Sequence, residues 1–153
     1  MEALNEALKI EQVLEREGVY VATISGVSMY PMLRNRRDTI VVTPCKGRLE
    51  KYDVPLYRVG KKYVLHRILE VRPDSYVIRG DNCFNKEYGI TDKDVLGILT
   101  SFYRDDKEID MKGRAYKTYV WIWVHTHHLR MFIKRVYWKL KRIYKMIFQK
   151  GAE

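Results

Sequence analysis

The chain has 153 residues, 46% of them apolar, and only four prolines. That composition supports one modest domain with its own core and excludes global disorder. The formal net charge is +10, yet residues 1–113 hold 19 Lys and Arg against 18 Asp and Glu, while residues 114–152 hold ten cations and no acid.

Residues 3–17 read as a helix. Leu4, Ala7, Leu8, Glu11 and Leu14 recur near the helical period, and Gly18 supplies a stop. This helix is expected to cap the core. It begins with acid and has no long apolar centre, which excludes a secretory leader. From Val19 the pattern changes to short strands: 19–24, 38–44, 54–59, 61–71, 75–80 and 95–104, punctuated by Gly, Pro and Asp. Residues 25–33 between the first two strands are expected to form a turn leading into a helix. The fold expected is mainly β, coiled or barrel-like, with an N-terminal helix and a basic helical extension at the C-terminus. The boundaries that follow are a helix over 1–18, a β domain over 19–104, a connector over 105–115 and the extension over 116–153.

In that extension, Leu129, Phe132, Ile133, Val136, Tyr137, Leu140, Ile143, Tyr144, Ile147 and Phe148 recur at helical spacing. Arg130, Lys134, Arg135, Lys139, Lys141, Arg142 and Lys145 supply a polar side. Trp121, Trp123, Phe132, Trp138 and Phe148 fit the headgroup boundary of a bilayer, so residues 119–148 are expected to meet an anionic membrane surface. Nucleic acid is disfavoured as a partner, because no base-reading motif accompanies the charge. Nowhere do 18 uncharged apolar residues run together, which excludes a conventional span and leaves a cytoplasmic or peripheral-membrane location as the expectation.

The two cysteines, Cys45 and Cys83, are too few for a disulfide scaffold and lack zinc-binding spacing. His125, His127 and His128 lack a further ligand set. No metal or cofactor is implied.

The segment richest in chemistry is Ser25-Gly26-Val27-Ser28-Met29-Tyr30-Pro31-Met32-Leu33. A nucleophilic serine needs sharp presentation, nearby backbone N–H groups and a base. Gly26 permits close backbone approach, Pro31 restricts the following turn, and Ser28 lies between them. Ser25 adds a second hydroxyl.

This segment resembles the nucleophile region of the signal-peptidase family, and of the wider fold group that includes self-cleaving repressors. Tyr63-Val64-Leu65-His66-Arg67-Ile68 resembles the base-bearing strand of the members that use histidine, and Arg79-Gly80-Asp81-Asn82 resembles the family's Gly-Asp-Asn segment. Asp38-Thr39-Ile40-Val41-Val42 is similar to the strand after the nucleophile. Tyr52-Asp53-Val54 is similar to the Gly-Asp-hydrophobic box, with Tyr in place of Gly. These motifs occur in the family's order over about residues 19–100. Two serines separated by Gly26 and Val27 match the spacing of the repressor-type relatives.

The resemblance implies a serine endopeptidase that processes a leader or precursor peptide through an acyl-enzyme. Ser28 would be the nucleophile, His66 the general base, and Asp81 the carboxylate that orients His66. Asp53 stands second for that carboxylate role and otherwise supports the fold. Asn82 would tie down the turn, Met29 would shape the substrate cleft, and Ser25 would assist at the oxyanion. Lys62, of the same strand parity as His66, is the alternative base. Partners implied are a peptide or precursor protein and a peptide-maturation or secretion component. A protease fold used only for binding, and a self-cleaving repressor-like peptidase, are the competing expectations.

Overall fold

The computed structural model describes residues 9–148. Leu4, Ala7 and Leu8, the Phe148 side chain and residues 149–153 lie outside it. The chain divides into two compact units, residues 1–117 and 118–153.

In the first unit, helix α1 (Ile10–Glu17) ends where Gly18 turns left-handed at φ 68° and its N–H caps the Leu14 carbonyl. Nine strands follow: β1 (Tyr20–Thr23), β2 (Thr39–Thr43), β3 (Pro55–Val59), β4 (Lys62–Leu65), β5 (Arg67–Val71), β6 (Tyr76–Arg79), β7 (Glu87–Ile90), β8 (Val95–Arg104) and β9 (Lys107–Asp110). They form two antiparallel sheets. One runs β1-β2-β8-β3-β4 with β9 added to β8, and the other runs β5-β6-β7. The larger sheet is curled into an open half-barrel.

The fold is therefore mixed α/β, with an N-terminal helix, a curled open sheet and C-terminal helices. The helical extension expected at the C-terminus is present as α2 (Arg114–His125) and α3 (His127–Phe148). The segment expected as a connector contains β9, a hairpin partner of β8. The single strand expected over 61–71 breaks at His66, so that β4 belongs to one sheet and β5 to the other. Residues 25–33 make successive turns without a helix.

The two sheets share a core. Leu49, Tyr57, Ile68, Tyr76, Ile78 and Ile90 are buried together, drawing on both sheets. Each large side chain removed from water there contributes about 1.5–3 kcal/mol. Tyr76 also donates its hydroxyl to Asp92 and accepts the Leu49 N–H at 3.0 Å, so its polar tip is satisfied inside apolar surroundings. Helix α1 is fastened to the hairpin of β3 and β4. Glu11 accepts from Arg58 Nη1 and from the Tyr63 hydroxyl, each at 2.8 Å.

In the second unit the helical ladder continues through Thr126, which donates its N–H to Ile122 and accepts from Arg130 N–H. Arg130 lies over the Trp123 ring at 3.6 Å from its centroid and donates to the Trp123 carbonyl at 2.6 Å. Among the described residues, no helix is long and apolar enough to cross a membrane.

Candidate active site

A cleft of about 460 Å³ lies in the first unit, lined by residues from α1, β1, the turn after β1, β2, β3 and β4. Ser25, Gly26, Ser28, Met29 and His66 all line it, beside the apolar Ile24, Ile40, Leu56 and Leu65. Asp81, Asn82, Asp53, Pro31 and Lys62 are not in its lining.

The Ser28 turn is held from several sides. Gly26 adopts φ 107°, which L side chains rarely adopt, and its N–H donates to Asn35 Oδ1 at 2.8 Å. Met29, Met32 and Leu33 are buried beneath the turn. Arg104 donates to the carbonyls of Pro31 at 2.9 Å and Met32 at 2.6 Å. Asp38, wholly buried, accepts the Arg34 N–H and Nε–H, each at 2.8 Å, and so closes the loop that returns to β2. Asn82 clamps the turn from the other sheet. Its backbone N–H donates to the Ser28 carbonyl at 2.8 Å and its side-chain amide to the Val27 carbonyl at 3.0 Å.

Gly80 brings the turn and the imidazole together. A Cβ at Gly80 would stand 2.7 Å from the Ser28 carbonyl oxygen, 2.8 Å from Cys83 Sγ and 2.9 Å from His66 Cδ2. The Ser28 turn and the His66 ring thus pack on the same bare Cα. We expect Gly80→Ala to push these groups apart and to cost about 1–3 kcal/mol, the usual range for overpacking. Equilibrium urea unfolding reads that loss. A variant as stable as the parent would mean that the two strands yield without cost.

His66 stands where the chain passes from one sheet to the other, and it is buried. Its Nδ1 lies 2.7 Å from Glu87 Oε1 and 3.1 Å from the Tyr57 hydroxyl. Tyr57 commits its own hydrogen to Glu87 Oε2 at 2.7 Å. Both neighbours of Nδ1 therefore present lone pairs, so the neutral ring carries its proton on Nδ1 and its free lone pair on Nε2. Burial lowers the His66 pKa below the ordinary imidazole value, and the Glu87 charge opposes that shift. Burial, aided by Glu87, raises the Tyr57 pKa far above the usual phenol range, so the hydroxyl keeps its proton at neutral pH. No hydrogen bond joins Ser28 to His66 in this structure.

Asp81, expected to orient His66, is hydrogen-bonded to another residue. Asp81 faces the fully buried Arg67, which donates Nε–H and Nη2–H to its two oxygens at 2.8 Å each. Arg67 also donates to the Tyr52 carbonyl, the Tyr116 hydroxyl and Met32 sulfur. A guanidinium buried next to a carboxylate is the stronger partner, because it carries a full charge and a matched fork of donors. The Asp81 charge also raises the His66 pKa, as the smallest of the causes acting on it. The carboxylate at His66 is Glu87, which the sequence motifs did not single out. Its signal was faint, since Glu87-Tyr88-Gly89-Ile90 is short, charged and interrupted by glycine.

Asp53 serves a turn. Its Oδ2 accepts the Glu50 N–H at 2.8 Å, its carbonyl accepts Ile68 N–H, and burial raises its pKa. Lys62 is exposed at the end of the hairpin, opposite Val59. It lacks the burial that a neutral lysine base requires. Cys45 and Cys83 form no disulfide, and burial pushes the Cys45 thiol up to about 11.

No protein-family model matches this chain, and no curated protein matches it.

Proposed function

We propose that this chain is a serine endopeptidase that processes a leader or precursor peptide, on a half-barrel of the signal-peptidase and repressor-protease kind. The observation that carries the reading is the presence of Ser28 and His66 in the lining of one cleft, with the Ser28 carbonyl and the His66 ring both packed at Gly80 and the His66 lone pair assigned to Nε2. In the proposed reaction an extended peptide enters the cleft and presents its scissile carbonyl to Ser28. Nε2 of His66 takes the hydroxyl proton as Oγ bonds to the carbonyl carbon. The backbone N–H groups of Ser28 and Met29, which take no part in the turn's own hydrogen bonds, are the proposed donors to the oxyanion. His66 passes its proton to the leaving amine, and the ester on Ser28 is then hydrolysed by water that His66 deprotonates. Glu87 steadies the imidazolium formed on the way, in the manner of a triad carboxylate. The apolar lining favours apolar side chains beside the cut. Closure of the gap between Ser28 and His66 falls to substrate binding, since catalytic hydrogen bonds often tighten only in the complex.

Incubation with a peptide library, followed by mass spectrometry of new termini, tests this reading. Cleavage by the parent, lost in a folded His66→Ala variant, is the expected result. Full cleavage by that variant would remove His66 from the base role. The missing Ser28–His66 hydrogen bond favours a second reading, in which the cleft binds a peptide without cutting it. Saturable peptide binding with no new termini in parent or variant would select that reading.

The role of Glu87 has a pH signature. Its charge raises the His66 pKa, so Glu87→Gln is expected to move the acidic limb of kcat/KM to lower pH. The same variant should lower kcat by about tenfold to a hundredfold, because the imidazolium loses its counter-charge. A rate loss with an unmoved acidic limb would assign Glu87 to packing alone.

A further inference from the structure

Helix α3 presents one apolar face along its length. At 100° per residue, Leu129, Val136, Leu140, Ile143 and Ile147 fall within one narrow arc, widened by Phe132 and Ile133. All are exposed: Phe132 is 65%, Leu140 61% and Ile147 63% accessible. Tyr137 and Tyr144 form one border of that arc. The remaining circumference carries Arg130, Lys134, Arg135, Lys139, Lys141, Arg142 and Lys145, with no acid. Trp138 interrupts the basic side, and the Lys141 ammonium lies 5.3 Å from its ring centroid.

We propose that α3 binds in the plane of an anionic lipid bilayer, its apolar arc among the acyl chains and its cations at the headgroup phosphates. Three observations favour this occupant. Seven cations in a 22-residue helix exclude a span, while the continuous apolar arc of an interfacial helix remains. Pairing with a second copy through the apolar arc would bring cations at its borders against cations, with no acid between Met111 and Gly113 or along the helices to relieve them. A nucleic acid would satisfy the charge but leave the apolar arc in water. An anionic bilayer offers hydrocarbon bounded by negative charge, and the tyrosines at the border suit that boundary. The inference does not depend on peptide cleavage.

The test uses the full chain in cosedimentation with vesicles of phosphatidylglycerol and phosphatidylcholine, and with vesicles of phosphatidylcholine alone. Binding to the anionic vesicles that weakens with added salt is expected. Lys134→Glu/Lys141→Glu/Lys145→Glu should weaken it by about tenfold or more, and Ile133→Asp/Leu140→Asp by a similar factor. Circular dichroism and thermal melting of each variant in buffer separate lost binding from lost folding. Equal binding to neutral vesicles, or unchanged binding by either folded variant, overturns the proposal. A dimer by analytical ultracentrifugation that Ile133→Asp/Leu140→Asp dissociates, with no vesicle binding by the parent, overturns it in favour of a second copy. Retention on duplex DNA without vesicle binding overturns it in favour of nucleic acid.

Discussion

Replacing Ser28 by alanine is expected to lower peptide cleavage on the order of a thousandfold or more while the protein stays folded. The hydroxyl is the only part of Ser28 removed. The Ser28 carbonyl, which accepts Asn82 N–H and packs on Gly80, remains in place. The turn is held by Gly26, Arg104, Asn82 and the buried methionines, through bonds to backbone groups and burial rather than through the hydroxyl. Melting temperature should therefore change little as turnover disappears. Equal cleavage by parent and Ser28→Ala would remove Ser28 from the chemistry. A collapse of folding in that variant would instead mean that the hydroxyl has a structural partner.

The second large effect concerns stability. Asp81→Ala should destabilise the fold by about 3–5 kcal/mol, because it strands the charge of the fully buried Arg67 without its carboxylate. Against a total stability of about 5–15 kcal/mol for an ordinary domain, that is a major fraction. Urea unfolding of the variant measures it. The companion change Arg67→Met/Asp81→Leu removes both charges and should recover part of the loss, since an apolar pair of similar size often replaces a buried ion pair at little cost. Wild-type stability in Asp81→Ala would show that Arg67 finds other anions. A mere loss of activity with unchanged stability would restore Asp81 to the role the motif suggested.

The contrast between Asp81 and Glu87 marks how far the sequence could be read. Most strands were legible because alternating and β-branched runs such as Thr39–Thr43 and Tyr76–Arg79 state their own periodicity. The turn that carries Ser28 was legible from its Gly and Pro. What could not be read was any placement set by register. Ile78 pairs with Glu87 across β6 and β7, and Tyr57 pairs with Val64 across β3 and β4. The grouping of Tyr57, His66 and Glu87 depends on both pairings at once, and neither strand pair has a signal in single residues. The break at His66 was hidden for the same reason. A continuous strand-like run does not say that its two halves join different sheets.

The ten-residue strand β8 has a consequence for the order in which the protein is made. It hydrogen-bonds β2, β3 and β9, and it is the only link between β2 and β3 in the larger sheet. A nascent chain emerging from the ribosome exposes β2 and the hairpin of β3 and β4 long before residues 95–104 exist to receive them. Until then each of the two pieces has an unpaired edge, a hazard for association with neighbouring chains. The half-barrel can close only after synthesis has passed Arg104. Chains stalled or truncated before that point should be the ones that chaperones and proteases encounter.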